Sequence, residues 1–487
     1  MSGRVLRRTA VTATVVVSAA LLTPAAHAAT SAASTLRLQD DFNGDGYRDV
    51  VTTAPTATVS GKSGAGYVAV LYGSSTGLNT SRKKVISQDT TGIPGTAESG
   101  DNYGSAVSSA DLDNDGYADL IVGASGEDVG TVQGAGALAV IWGSASGLSS
   151  GSTLLNNTNA SQYLGAGVAA GDFDGDGHKD VVTEATTGGG LQLLSGPFHR
   201  DGSAARKSTF PDNLPEGGLS PGRLAAGDVD GDGITDVVGS AHVNSDSGSG
   251  PPIAVYWRGT TSGFAEHVFL GVEADEVALG DLDHDGYADL VAGQWSTGYD
   301  QDMDPMSKGG MITVFYGSAT GPDVGGRVKY NQDSPGIPGA AEAFDSFGRG
   351  ISVGDINGDG YADATIGVPG EDFNGKTDAG ALVALFGSAS GLTTSGAKAY
   401  NQGTSGIPGT AESADTFGTA TKLVDANKDG KADLLVGAPG ENSREGGVWV
   451  LRGTSTGITT SGSWSFSPGT LGTTRANARL GSDFNHF

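Results

Sequence analysis

Seven times along this chain a nine-residue acidic segment recurs, with Asp at positions 1, 5 and 9, Asp or Asn at position 3, and Gly at position 6. The copies are Asp41, Asn43, Asp45, Asp49; Asp111, Asp113, Asp115, Asp119; Asp172, Asp174, Asp176, Asp180; and Asp228, Asp230, Asp232, Asp236. Three more follow: Asp281, Asp283, Asp285, Asp289; Asp355, Asn357, Asp359, Asp363; and Asp425, Asn427, Asp429, Asp433. Short carboxylates at alternate positions converge oxygens on one point. The Gly takes the positive φ that lets the backbone wrap that point, as hard oxygen donors do around Ca²⁺. The backbone carbonyl of position 7 completes the expected set, at Tyr47, Tyr117, His178, Ile234, Tyr287, Tyr361 and Lys431. The chemistry implied is binding of up to seven structural Ca²⁺ ions. An EF-hand fits worse, because position 12 is Thr52, Val122, Thr183, Gly239, Ala292, Ile366 and Val436, where a bidentate Glu is required. Turn propensity explains one or two such segments, but not one spacing kept in seven.

Other residues offer less. Gly73-Ser74-Ser75-Thr76-Gly77 and Gly453-Thr454-Ser455-Thr456-Gly457 mimic a nucleophile elbow, yet the matching turns carry Ala145, Ala319 and Ala389 in place of the middle Ser. An elbow also needs a strand-to-helix turn, so these read as turn residues. His178 and His284 lie inside acidic segments, His199, His242 and His267 in variable connections, and His486 near the end. No pair has metal-ligand spacing and none accompanies a nucleophile, so no catalytic residue is assigned.

The chain holds 55 acidic and 28 basic residues, for a net charge of −27. Four loops hold four Asp and three hold three, which places 25 of the 55 acidic residues in the loops and leaves 30 that nearly balance the 28 bases; the net negative charge is mostly metal-site chemistry. A chain this negative is a poor partner for nucleic acid. With no cysteine there is no disulfide, thiolate zinc site or catalytic thiol. Arg4, Arg7 and Arg8, an apolar run from Val11 to Leu22, and Ala26-His27-Ala28 have the layout of a cleaved signal over residues 1–28. Export by the Sec or Tat route and an extracellular location follow as expectations, with residues 29–487 as one domain. No later apolar run approaches the ~20 residues that span a bilayer.

The elements that must position the loops recur with them. The loops begin 70, 61, 56, 53, 74 and 70 residues apart. A β-branched run follows each one, as in Leu120-Ile121-Val122 and Leu434-Leu435-Val436, and a second strand-like stretch comes ten to twenty residues later, as in the segments from Gly66, Gly136 and Gly380. A short strand precedes each loop and a polar one closes each unit, and no helical period is sustained. Four antiparallel strands alone leave bare edges and too little core, whereas a ring of such sheets buries their faces on one another. The predicted fold is all-β, a seven-bladed β-propeller of four-stranded antiparallel blades with all the acidic loops on one face.

Tyr103-Gly104, Phe347-Gly348 and Phe417-Gly418 before the loops, the loops themselves, and Gly437-Ala438-Pro439 after the second strand resemble the FG-GAP repeats of the integrin α-subunit head. Gly123-Ala124-Ser125 and Gly367-Val368-Pro369 are variants of the last motif, while blades 3 to 5 replace it with Thr183-Glu184-Ala185, Gly239-Ser240-Ala241 and Gly293-Gln294-Trp295. Blade 1 lacks the leading Phe-Gly. Arg479-Leu480-Gly481-Ser482 looks like the start of another repeat and either completes blade 1 or frays as a tail. On the face opposite the loops, Glu98, Asp101 and Glu127, Glu342, Asp345 and Glu371, and Glu412, Asp415 and Glu441 form an acidic half-face, read either as a ligand site or as residues bonding neighbouring blades. The resemblance implies a secreted, monomeric recognition or adhesion module for protein or glycan. The competing reading is a secreted propeller enzyme, a polysaccharide lyase or hydrolase, with an acidic site on that face.

Overall fold

The computed structural model describes residues 39–485, apart from 158, 160–162, 186–188, 213–218, 246–247 and 296–304. The expected signal segment 1–28 and His486 lie outside the described residues.

Each β-branched run after an acidic loop becomes the second strand of an antiparallel sheet, and the sheets are consecutive in sequence. Blade 2 is representative: Tyr103–Ala110, Asp119–Ala124, Ala137–Trp142 and Ser150–Asn156 pair in that order. Its second and third strands are almost wholly buried, because apolar side chains on both sheet faces meet a neighbouring blade. The fourth strand is the polar outer edge. Blades 3 to 7 repeat this order, and first strands of successive blades touch around the ring. Blade 4 adds a small hairpin, Gly259–Thr260 with Gly263–Phe264, and among the described residues three short turns stand outside the sheets, at Pro305–Ser307, Glu441–Arg444 and Pro468–Leu471. Among the described residues the buried apolar side chains fall into seven clusters, one at each seam between blades.

Blade 1 has three strands in sequence, Val50–Ala54, Tyr67–Leu71 and Lys83–Ile86. Its innermost position is filled by residues 481–485, as the closure reading of the repeat-like tail anticipated. Thr53 N–H donates to Asp483 O at 3.0 Å, Asn485 N–H to Val51 O at 3.2 Å and Gly481 N–H to Thr53 O at 3.2 Å. Phe484 is fully buried in the cluster of the seam between blades 7 and 1, beside Val50, Leu71, Leu435 and Val448.

The Gly that opens each Gly-Ala-Pro motif has a packing reason. A Cβ on Gly123, Gly367 or Gly437 would sit 1.9–2.0 Å from the carbonyl oxygen of Gly165, Gly418 or Gly481, the Gly of the following blade's leading motif. The two motifs are thus halves of one joint between blades, and only a residue without a side chain lets the backbones meet. Gly437 makes this joint with Gly481, so residues 479–482 serve as blade 1's missing leading motif.

Candidate metal centre

The loops are folded by their own carboxylates. In blade 1 Asp45 N–H donates to Asp41 Oδ1 at 3.1 Å and to Asn43 Oδ1 at 2.9 Å, and Gly46 N–H donates to Asp41 Oδ2 at 2.8 Å. The two bonds to position 1 recur at Asp111, Asp172, Asp228, Asp281, Asp355 and Asp425. Position 5 in turn accepts the position 7 N–H, from Tyr47, Tyr117, His178, Ile234, Tyr287, Tyr361 and Lys431. The Gly at position 6 has φ between 80° and 99° in every loop. Position 9 is buried and pins the loop to the sheet. Asp49 accepts the N–H of Phe42 and of Gly73, both at 2.9 Å, and the pattern repeats at Asp119, Asp180, Asp236, Asp289 and Asp363. Asp433 takes the N–H of Gly453 alone. Burial pushes the carboxyls of Asp49 and Asp119 up to about 8, and those of Asp180, Asp289 and Asp363 up to about 7, against backbone N–H groups that pull the other way.

In four loops three carboxylates offer oxygens within 4.8 Å of one another: Asp111, Asp113 and Asp115; Asp172, Asp174 and Asp180; Asp228, Asp230 and Asp236; Asp281, Asp283 and Asp285. The donor set is all oxygen, and Asp174 Oδ1 is buried with no hydrogen-bond partner. An orphaned carboxylate oxygen in such a cluster fits a hard divalent cation.

Two features of the site went unread in the sequence. Position 2 carries Phe42, Leu112, Phe173, Val229, Leu282, Ile356 and Ala426, each fully buried at a seam between blades. An apolar residue locked between two Asp in every copy was the available signal. Arginines were the other omission. Arg82 Nη2 lies 2.6 Å from Asp45, Arg200 Nε 2.7 Å from Asp113, Arg206 Nη2 3.0 Å from Asp174 and Arg258 Nη2 2.8 Å from Asp232. They occupy the outer carboxylate oxygens of blades 1 to 4, and nothing in the local sequence marks them.

Neighbouring loops are also bonded to one another. The position 8 N–H of one loop donates to the position 1 carbonyl of the preceding one: Ala118 to Asp41, Thr235 to Asp172, Ala288 to Asp228, Ala362 to Asp281 and Ala432 to Asp355, at 2.7–3.0 Å. The elbow-like Ser75 and Ser455 sit exposed at turn tips where Ser74 and Thr454 hydroxyls close the turn on Gly77 and Gly457.

On the opposite face Glu127, Glu371 and Glu441 bond to the preceding blade as latches, while Asp101, Asp345 and Asp415 close their own loops. Asp101, Asp345 and Asp415 are buried and accept the N–H of Glu98, Glu342 and Glu412 at 2.5–2.6 Å. Gln332 and Gln402 Nε2, from the preceding blades, donate to Glu371 and Glu441 at 2.6 Å, and Gln88 does the same to Glu127. Burial first, and neighbouring carboxylates second, push Asp101 and Asp415 up to about 6 and Glu127, Asp345 and Glu441 up to about 7, with Glu371 also raised. The folded chain therefore holds protons that the unfolded chain, titrating near pH 4, has released. Their stabilising contribution is complete below about pH 4 and is lost as pH rises to about 7. In saturating calcium the unfolding midpoint is expected to fall between pH 5 and pH 8, and to fall less in E127Q/E371Q/E441Q, whose amides mimic the protonated acids. Identical pH profiles for the two proteins would count against the latch titration.

A seven-bladed propeller with a carboxylate loop at the first turn of every blade defines the class. The comparisons with known proteins make it specific: residues 39–71, 103–141, 347–385 and 417–451 match the FG-GAP repeat, so blades 1, 2, 6 and 7 carry FG-GAP repeats and the protein is an integrin alpha-like FG-GAP propeller. Phosphatidylinositol-glycan-specific phospholipase D of Rattus norvegicus is 33% identical over 156 residues, 31% of this chain and 18% of that protein. Integrin alpha-PS5 of Drosophila melanogaster is 32% identical over 163 residues, 31% and 15% of the two chains, and integrin alpha-V of Gallus gallus 28% identical over 228 residues, 43% and 20%. The matched stretch thus spans under a fifth of the length of the first two relatives. Among solved structures, an Agrocybe aegerita lectin described as recognising terminal N-acetylglucosamine aligns with a TM-score of 0.42 at 15% identity, over 75% of this chain and 80% of that one.

Proposed function

We propose that the protein is a calcium-loaded recognition propeller that acts outside the cell, exported on residues 1–28, and binds a protein or glycan ligand at a surface. All seven loops hold Ca²⁺ through positions 1, 3, 5 and 9 and the position 7 carbonyl, and the ions are structural. The convergent all-oxygen clusters and the orphaned Asp174 Oδ1 support the metal. Extracellular calcium modules bind at ~10⁻⁴–10⁻³ M, which keeps them occupied rather than switching.

One observation carries the recognition reading: the carboxylates that recur on both faces are copies of a repeat, spent on loops and latches. Catalysis requires a unique constellation, and among the described residues the repeats supply none. No helix of the described residues is long and apolar enough to cross a membrane. A glycan and protein array, run with calcium and with EDTA, is expected to return a ligand retained in calcium alone. Turnover of a polysaccharide without retention of any ligand would replace this reading by the enzymatic one.

A further inference from the structure

Three arginines converge where blades 6 and 7 meet the closing segment. A cavity of about 280 Å³ is lined by Arg349, which opens the first strand of blade 6, by Arg444 in the turn after the second strand of blade 7, and by Arg479 just before the closing segment. Arg479 N–H donates to Arg444 O at 3.1 Å, which ties two of the carriers together, and the Arg349 guanidinium lies 4.3 Å from the centre of the Trp295 ring. No carboxylate lines the cavity. Arg82, Arg200, Arg206, Arg223 and Arg258 all reach carboxylates, whereas these three form no ion pair among the described residues; Asp275 and Glu276 act on Arg349 from further off, opposed by Arg223. At the joint position of Arg479 blades 2, 3, 6 and 7 carry Asn102, Tyr163, Ser346 and Thr416, and at that of Arg349 blades 2 and 7 carry Ser105 and Thr419.

We propose that this cavity binds the carboxylate group of a peptide ligand. Guanidinium forks match an oxyanion bidentately and hold it more tightly than neutral donors do. The cavity admits one such group and not a polymer. A chain with 55 acidic and 28 basic residues repels a sulfated glycan or a nucleic acid and tolerates a single negative group on a ligand otherwise neutral or basic. The inference rests on the recognition reading and narrows its ligand to protein, through either an acidic side chain or a chain end.

The test titrates ¹⁵N-arginine-labelled protein in saturating calcium with four probes: Ac-Gly-Asp-Gly-NH₂, Ac-Gly-Asn-Gly-NH₂, Ac-Gly-Gly-Gly-OH and methyl glucuronide. The Asp peptide or the free-carboxylate peptide is expected to move the Arg444 and Arg479 side-chain resonances, and which of them binds more tightly identifies the source. The Asn peptide should move neither. Arg479→Asn with Arg349→Thr installs residues that neighbouring blades already carry at these joints, Asn102 at φ 53° among them, and should weaken carboxylate binding about tenfold. Equal binding of the Asn and Asp peptides, binding of the glucuronide alone, or undiminished carboxylate binding by a variant with wild-type unfolding midpoint overturns the proposal. An array partner retained equally by wild type and variant defeats the cavity assignment and leaves recognition standing; silent arrays with a carboxylate probe that still titrates support the cavity and defeat recognition.

Discussion

Excess EDTA is expected to lower the unfolding midpoint of the protein by about 10–20 °C. An ion held at ten times its dissociation constant stabilises by about 1.4 kcal/mol, so seven contribute about 10 kcal/mol, comparable with the ~5–15 kcal/mol of a whole domain. Two structural facts make the loss cooperative. The first is that removing the ions leaves 25 loop carboxylates to repel one another, with arginines reaching those of blades 1 to 4. The second is that five loops bond to the preceding one, Ala118 to Asp41 and, unbroken from blade 3 to blade 7, Thr235 to Asp172 through Ala432 to Asp355, so that slackening one of these loops frees a donor at its neighbour. Calorimetry in calcium, in EDTA and after calcium is restored measures this. A midpoint indifferent to EDTA at low ionic strength would show that the loops hold their shape by their own hydrogen bonds and need no ion.

Deleting the chain from Leu480 onward is expected to abolish cooperative unfolding of the monomer, and Phe484→Ala alone to cost about 3–5 kcal/mol. The closing segment does three things at once. Its backbone pairs with Val51 and Thr53, and Leu480 and Phe484 fill the last seam. Its charges also cross the centre of the ring, since Asp483 pairs with Arg223 of blade 4 and the Asn485 carbonyl accepts the buried Lys422 Nζ at 2.8 Å. Without it blade 1 loses its inner strand and presents an open edge at the centre of the ring, and an exposed edge invites pairing with a second copy. Denaturant unfolding followed by tryptophan fluorescence, together with sedimentation of the truncated chain, reports both effects. A truncated chain that unfolds in one step at the wild-type midpoint would relegate residues 480–485 to decoration.

The acidic loops, the seven-fold repetition and the propeller were legible because each depends on local spacing. Asp at alternate positions with Gly at the sixth defines a ligand cradle within nine residues, and a strand period of two shows in any short window. Repetition then multiplied a weak local signal by seven. What remained unreadable was whatever depends on which copies become neighbours. Glu127, Glu371 and Glu441 look like a ligand surface as a linear pattern, yet each accepts a side-chain N–H from Gln88, Gln332 or Gln402 of the preceding blade. Arg200 gives no hint in its own segment that it reaches Asp113, 87 residues away and in the preceding blade.

By itself, then, the sequence determined the unit: which residues form strands, which turn, and which carboxylates converge, because those choices are made by side-chain chemistry within one blade. Tertiary structure alone decided the seams. It joined Gly437 to Gly481, set Phe484 beside Val50, and brought Arg349, Arg444 and Arg479 around one cavity from positions up to 130 residues apart. The physical reason is that a closed ring must bury every blade face on a neighbour. The contacts at the last seam are therefore imposed by closure, a condition on the whole chain that no local stretch of residues carries.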